Sequence, residues 1–285
     1  MSAIAAKPAA NAGAFQPVAS IIAIIIAAIF VAAAYFLGSA GIIAGGAMLA
    51  VQTIGLIILG AALIAFGVHF VPVGGAPAAM GQAPGIATGV AMLATGAGLA
   101  GLFGGAWAAD YGLAVALAAG AIGGGLMMAI TCLMVNFSYV FGMGIPPASG
   151  KVEKDPITKF TQPEYKSQGT EGHGLPFISY VGGVIGGLFG GLGGTLIYLE
   201  LLGYFNAALP LKGITGICDP ISIGLAGIIS VGMFLVIAVL AAYNITGTIE
   251  GPHDPKFKRF PRAIVAAILA SAAVGFVAML ITAVI

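Results

Sequence analysis

Between Lys7 and Lys151 this chain carries a single formally charged side chain, Asp110. Such a stretch has almost nothing with which to cover a water-exposed surface, so a soluble domain built from it would aggregate. A lipid bilayer is a suitable solvent for it, because a helix of about 20 apolar residues crosses the hydrocarbon core. The stretch therefore predicts an integral membrane protein whose function depends on the few polar residues that interrupt the apolar runs.

The apolar residues form seven segments of membrane-spanning length. They lie at about 18–37, 42–66, 86–108, 112–141, 175–200, 214–245 and 263–285. We therefore predict an all-α membrane protein with about seven transmembrane helices, in which residues 1–17 form an N-terminal tail and residues 18–285 a single polytopic domain. The net charge of +1 gives no indication of nucleic-acid binding.

Glycine accounts for 46 of the 285 residues, and much of it lies inside the apolar segments. The fifth segment carries a stripe between Gly182 and Gly194, and the fourth carries a second one between Gly120 and Gly125. Small residues at this spacing predict tightly packed helices, although they would also permit the sliding that a transporter uses. Cys132 is expected to be a small buried hydrophobic residue, and Asn244 to hydrogen-bond between helices.

The basic residues indicate the orientation. Eight of the ten Lys and Arg side chains lie in the loops 151–173 and 246–262, which two segments separate. The positive-inside rule makes both loops cytoplasmic, which places the N-terminus inside and the C-terminus outside. The loop 67–85 falls on the same face and is too apolar for ordinary solvation, so we expect it to be buried against protein as a re-entrant segment.

The three histidines of the chain all lie on this predicted inner face, with acidic residues beside two of them. One interpretation is that each histidine pins a helix entrance by hydrogen bonding to the backbone. The other is that they line an inner vestibule that binds ions or moves protons. The candidate vestibule residues are His69, Glu171, His173, Glu250, His253 and Asp254.

Two further acids fall near the predicted outer face. Glu200 ends the fifth segment, and Asp219 opens the sixth beside Pro220, where a broken helix could free carbonyl oxygens. Carboxylates and carbonyls are the ligands that a hard cation prefers, so both residues are candidates for a cation path. The alternative is that both are interfacial carboxylates with no role in transport. No nucleophile–base arrangement or metal motif accompanies them, and no catalytic residue is predicted.

Three long motifs on the predicted inner face resemble those of one known family. They are His69-Phe-Val-Pro-Val-Gly-Gly-Ala-Pro-Ala-Ala-Met80, Thr170-Glu-Gly-His-Gly-Leu-Pro176 and Thr248-Ile-Glu-Gly-Pro-His-Asp-Pro-Lys-Phe-Lys-Arg259. The chain is similar, from about Gly67 to its C-terminus, to the D subunit of tetrahydromethanopterin S-methyltransferase, the sodium-translocating complex of methanogenic archaea. The first two segments, about 18–66, look like an extension.

The resemblance implies a membrane subunit rather than an independent enzyme. The family's complex transfers a methyl group from methyl-tetrahydromethanopterin to coenzyme M and drives sodium ions outward. The implied partners are the integral C and E subunits, a corrinoid-binding subunit and a pterin methyltransferase subunit, with the corrinoid carried by its own subunit and no cofactor bound here. A structural anchor of the same complex and an independent secondary transporter are the alternatives.

Overall fold

Seven long α-helices account for most of the residues that the computed structural model describes, which are 15–71, 85–137, 166–167, 170–171, 177–245, 249, 251–252 and 255–284. The helices are α1 (Pro17–Ser39), α2 (Gly46–Phe70), α3 (Gly85–Trp107), α4 (Leu113–Phe137), α5 (Phe177–Ala208), α6 (Cys218–Ile245) and α7 (Phe260–Val284). Six of the described segments are long and apolar enough to cross a membrane. The predicted all-α, multi-pass membrane fold is confirmed.

Short elements join some of the helices. Single 3-10 turns occupy Ala109–Tyr111, Pro210–Lys212 and Pro255–Arg259. Two antiparallel strands of two residues each, β1 (Lys166–Ser167) and β2 (Thr170–Glu171), lie in the connection between α4 and α5, with Lys166 opposite Glu171.

Two predicted helix ends were wrong, both because the helix continues. The second helix extends beyond residue 66 to Phe70, since Gly67 packs against Gly186 of α5 and Phe70 stacks with other aromatic rings. The fifth helix extends beyond Glu200 to Ala208, because Leu201 and the residues after it on the same face are buried. The predicted re-entrant loop therefore begins four residues too early, and its residues 72–84 lie outside the described part.

The helix α5 is the centre of the bundle, and it has its most extensive contacts with α2 and α4. A Cβ added at Gly60 would lie 2.7 Å from the carbonyl oxygen of Gly193, and one at Gly67 would lie 2.7 Å from that of Gly186. The residue numbers rise along α2 as they fall along α5, so the two helices are antiparallel. Only glycine permits this approach of the two backbones, which confirms the predicted tight packing.

A second glycine contact joins α3, α4 and α5. Gly124 meets Gly187, and Gly101 meets Gly191, with backbone against backbone. Thr195 is buried at this junction and donates a hydrogen bond from Oγ1 to the carbonyl oxygen of Gly101 at 3.1 Å. The glycine stripes predicted on the fourth and fifth helices therefore face each other.

The alternation of the helices gives the bundle two ends. At one end α2 stops and α7 starts, next to the basic turn Pro255–Arg259. We call this the charged end. The opposite end carries the turn between α1 and α2 and the starts of α4 and α6.

Candidate functional site

A partly buried hydrogen-bond network lies at the charged end, and its members are His69, Asn244 and Arg259. The imidazole of His69 is fully buried, and its Nδ1 lies 2.8 Å from the carbonyl oxygen of Ala65, one turn earlier in α2. A carbonyl oxygen can only accept, so Nδ1 carries the proton and donates it. Of the two expectations for the histidines, His69 shows the geometry of the first, hydrogen bonding to the backbone.

The other nitrogen of His69 connects α2 to α6. The amide Nδ2 of Asn244 lies 3.2 Å from His69 Nε2 and 2.7 Å from the carbonyl oxygen of Arg259. The amide nitrogen therefore donates one hydrogen to each acceptor, which requires Nε2 to be unprotonated. The predicted interhelical role of Asn244 is confirmed, and its geometry assigns the neutral Nδ1-H form to His69.

The connection from α6 to α7 closes the charged-end network. The guanidinium Nη1 of Arg259 donates to the carbonyl oxygen of Ile245, the last residue of α6, at 3.0 Å. The same region contains a cluster of edge-to-face and tilted aromatic rings, formed by Phe66, Phe70, Phe189, Phe257 and Phe260. Polar and aromatic contacts therefore both hold this connection against the end of α2.

A second network lies at the opposite end and contains only hydroxyl and backbone groups. Tyr204 of α5 has its hydroxyl 3.0 Å from Thr282 Oγ1 of α7 and 3.3 Å from the carbonyl oxygen of Ala44. The backbone N–H of Ala44 donates to Thr282 Oγ1 at 3.2 Å, and Thr282 Oγ1 donates to the Met279 carbonyl oxygen at 2.8 Å. The opposite-end network, Ala44, Tyr204 and Thr282, thus ties the turn before α2 to α5 and α7.

Glu200 lies deeper in the membrane region than its predicted place at a helix end. The helix α5 continues for eight residues after it, a distance of about 12 Å at 1.5 Å per residue. The register that pairs Gly60 with Gly193 puts Glu200 level with Thr53 of α2. In the described helices it is the one acidic side chain that lies away from a helix end, and it is half-buried.

Asp219 lies in the first turn of α6, as predicted, and its side chain is exposed. A carboxylate at this position is favoured by the unpaired N–H groups and the positive end of the helix dipole. Pro220 follows within the same turn and accommodates the helix start instead of breaking the helix.

The other predicted vestibule residues lie outside the part of the chain whose side chains are described. His173, Glu250, His253 and Asp254 are not described, and of Glu171 only the backbone in β2 is described. Within the described residues, no three His, Cys, Asp or Glu side chains come close enough together to hold a metal ion. Cys132 is buried and free, as predicted.

An apolar groove of about 570 Å³ opens between α3 and α6, with Tyr198 of α5 in its lining. Its α6 wall carries Gly224, Gly227 and Gly232, which have open space where a Cβ would stand. Tyr198 is only 7% exposed, and none of the described residues forms a hydrogen bond with its hydroxyl. The groove thus combines a glycine wall with a buried tyrosine whose hydroxyl has no hydrogen-bond partner among the described residues.

Sequence reasoning missed the most connected polar residues. Thr195, Tyr204 and Thr282 stand alone in apolar segments, and no motif distinguishes them from lipid-facing residues of the same type. The signal that could have found Thr195 is its place among the glycines of α5, because a polar residue on a tightly packed face must find a partner there.

Comparison with known proteins gives a consistent result. The profile of the family described as the D subunit of tetrahydromethanopterin S-methyltransferase matches residues 48–271. The chain is 51% identical over 230 residues to the protein of that name from Methanothermobacter marburgensis, covering 80% of this chain and 95% of that one. It is 48% identical over 228 residues to the Methanosarcina mazei protein, covering 79% and 91%, and 44% identical over 225 residues to that of Methanocaldococcus jannaschii, covering 77% and 91%.

The extent of the match corrects one expectation from the sequence. The matched residues begin at position 48, in the first turn of α2, so the second segment belongs to the shared region. The predicted extension is therefore confined to the residues before α2, which include α1.

Proposed function

This chain belongs to the family of the tetrahydromethanopterin S-methyltransferase D subunit, and from that membership we propose that it contributes a carboxylate to the sodium path of the complex. The methyl transfer from methyl-tetrahydromethanopterin to coenzyme M takes place on partner subunits, one of which carries the corrinoid. This chain supplies no catalytic residue and lies in the cell membrane with its charged end in the cytoplasm.

The position of Glu200 is the observation that carries this proposal. An ionisable residue well inside a membrane segment is unfavourable in lipid and marks an ion path by default. Glu200 stands about 12 Å from the end of α5, and a carboxylate is a preferred ligand for a hard cation. Asp219, exposed at the mouth of the same end, would raise the local sodium concentration without binding the ion as tightly.

A charge-neutralising substitution tests the role of Glu200. The variant Glu200→Gln in the whole complex, reconstituted into vesicles, should take up at least about tenfold less radioactive sodium per methyl group transferred, since it loses the charged ligand. The exposed Asp110→Asn, at the same end, is the matched control and should leave this ratio unchanged. The expected order is Glu200→Gln, then Asp219→Asn, then Asp110→Asn.

The same experiment separates this proposal from its alternative. An unchanged ratio in Glu200→Gln, with the complex intact on a sizing column, would favour a structural anchor whose neighbours conduct the ions. The scarcity of acidic residues in the described helices is the observation that favours that alternative.

The groove between α3 and α6 is, in our proposal, where a transmembrane helix of another integral subunit packs. Glycines such as Gly224 lower the stability of a helix unless a close approach requires them, and none of the described residues approaches them. The buried Tyr198 hydroxyl needs a partner that lipid tails cannot supply, since they do not hydrogen-bond. A helix with small residues could approach the glycines closely, and a hydroxyl or free carbonyl on it could hydrogen-bond with Tyr198. We expect this helix to come from one of the integral C and E subunits.

A matched pair of glycine substitutions tests this contact. Gly224→Leu fills the groove and should release the neighbouring integral subunit, because the added side chain prevents the backbones from approaching. Gly55→Leu adds the same side chain to an equally open and exposed position on α2, and it should leave the complex whole. The subunits that co-purify in mild detergent, weighed by mass spectrometry, are the readout. Equal recovery of the partners from both variants would contradict the contact.

A further inference from the structure

A pocket of about 400 Å³ lies at the charged end, where α1 meets α6 and α7. Apolar residues as far as Ala23 and Leu269 form part of its lining. The polar side chains in the lining are those of Gln16, Ser20, Tyr243, Asn244 and Arg262. The helix α1 lies outside residues 48–271, which match the family profile. The pocket is therefore separate from the sodium path and the groove proposed above, and its existence depends on a helix beyond that match.

Two polar side chains in this pocket lack a partner within the described structure. Ser20 is only 6% exposed, and none of the described residues hydrogen-bonds with its hydroxyl. Arg262 is half-buried and likewise forms no ion pair or hydrogen bond with a described residue. A buried donor without an acceptor is unfavourable, and a guanidinium presents several donors in a planar fork that suits phosphate or carboxylate. Both groups therefore indicate an anionic ligand.

The backbone at the start of α1 also favours an anionic ligand. Gln16 is the residue before the helix, and its side chain makes no capping hydrogen bond. The N–H groups of the first turn, such as that of Ala19 in the pocket lining, have no carbonyl partner within the helix. The helix dipole makes this end positive. In the described part of the lining no acidic side chain opposes a bound anion.

The apolar wall distinguishes a lipid from a small soluble anion. Leu269 comes seven residues after Arg262 along α7, which is about 10 Å towards the membrane interior. We propose that this pocket binds a membrane lipid with a phosphate-bearing head group, held by Arg262 and Ser20, with an acyl or prenyl chain along the wall. Tyr243, which is exposed, lies at the level where amphipathic rings meet head groups.

The test uses the full chain, purified with its native partners and stripped of lipid in detergent. Three probes are compared at equal concentration: phosphatidylglycerol, diacylglycerol with the same chains, and inorganic phosphate. The expected result is that phosphatidylglycerol stays bound through washing, as seen by native mass spectrometry, while diacylglycerol does not. Inorganic phosphate should displace the bound phosphatidylglycerol only weakly. Retention of both lipids would overturn the anion site, and full displacement by inorganic phosphate would overturn the lipid as its ligand.

Variants connect the binding to the named side chains. Arg262→Gln should weaken retention at least about tenfold, because it removes charge-assisted hydrogen bonds. Lys258→Gln removes one positive charge from the turn just before α7, but the exposed Lys258 side chain does not line the pocket, so this variant should retain the lipid. Ser20→Ala should weaken retention by a smaller factor. Because it changes a different side chain of the pocket, it still tests the proposal if the Arg262→Gln variant fails to fold. Equal retention by Arg262→Gln and Lys258→Gln would overturn the proposal.

Discussion

The two ends of α2 are held by polar networks that are built from different chemistry, one partly buried and one fully buried. At the charged end the Asn244 amide donates both to the His69 imidazole and to the carbonyl oxygen of Arg259. At the opposite end the described members are the hydroxyls of Tyr204 and Thr282 and the backbone groups of Ala44 and Met279. The first network depends on one tautomer of a buried imidazole, and the second on hydroxyl groups that can rotate to suit their partners.

This contrast indicates where movement can be transmitted through the molecule. Arg259 belongs to the connection between α6 and α7, so a shift of that connection away from α6 would break the partly buried hydrogen bond from Asn244 and disturb His69. At the opposite end Ala44 lies in a short turn, held to α5 and α7 through Tyr204 and Thr282. A displacement of the connection between α6 and α7 is therefore passed to the end of α2 through these hydrogen bonds.

The largest effect is expected for Asn244→Leu at the charged end. The substitution removes the donor for both His69 Nε2 and the Arg259 carbonyl oxygen, so it should lower the free energy of unfolding by about 2 kcal/mol. Titration with denaturing detergent in mixed micelles measures this. If the change were no larger than for a single hydrogen bond, the amide would not be the centre of the charged-end network.

A smaller effect is expected for Thr282→Val at the opposite end. Valine keeps the shape but leaves the Ala44 N–H without its acceptor and Tyr204 without one partner. The same titration should show a loss of about 1.5 kcal/mol. A loss larger than that for Asn244→Leu would reverse the comparison and make the opposite end the more strongly fixed one.

The smallest effect is expected for Tyr204→Phe. The ring stays buried against Phe205, and Thr282 keeps its bonds to Ala44 and Met279. The expected loss is about 0.6 kcal/mol, the value of a typical interhelical hydrogen bond in a membrane protein. A loss equal to that of Thr282→Val would show that the tyrosine hydroxyl, not the threonine, organises this end.

Much of the fold could be predicted, because hydropathy and glycine spacing are properties of single segments. The seven helices and the facing stripes on α4 and α5 follow from them. The ends of α2 and α5 could not be predicted, since whether a helix continues past Gly67 or Glu200 depends on what it packs against. From composition alone, a glycine such as Gly67 predicts the end of a helix. In the structure the helix continues through Gly67, because the backbone of α5 packs against it there.

The candidate sites were harder to predict than the helices. A sequence shows that Glu200 and His69 are rare polar residues, but not that the first lies deep in α5 and the second bonds to α6. Those facts depend on register between helices far apart in the chain. The orientation of the bundle and the roles of His173, Glu250 and His253 remain predictions.

The glycine content of α5 has a consequence for how the protein is made. The segment Tyr180–Lys212 has a mean hydropathy of 1.5, compared with 2.8 for the first helix and 2.4 for the second. Insertion into the bilayer during synthesis follows hydropathy, so α5 has the weakest tendency of these three to leave the translocation channel for lipid by itself. The earlier α2, α3 and α4 offer it glycine faces to join. Synthesis therefore places the central helix of the bundle after three of the helices that receive it.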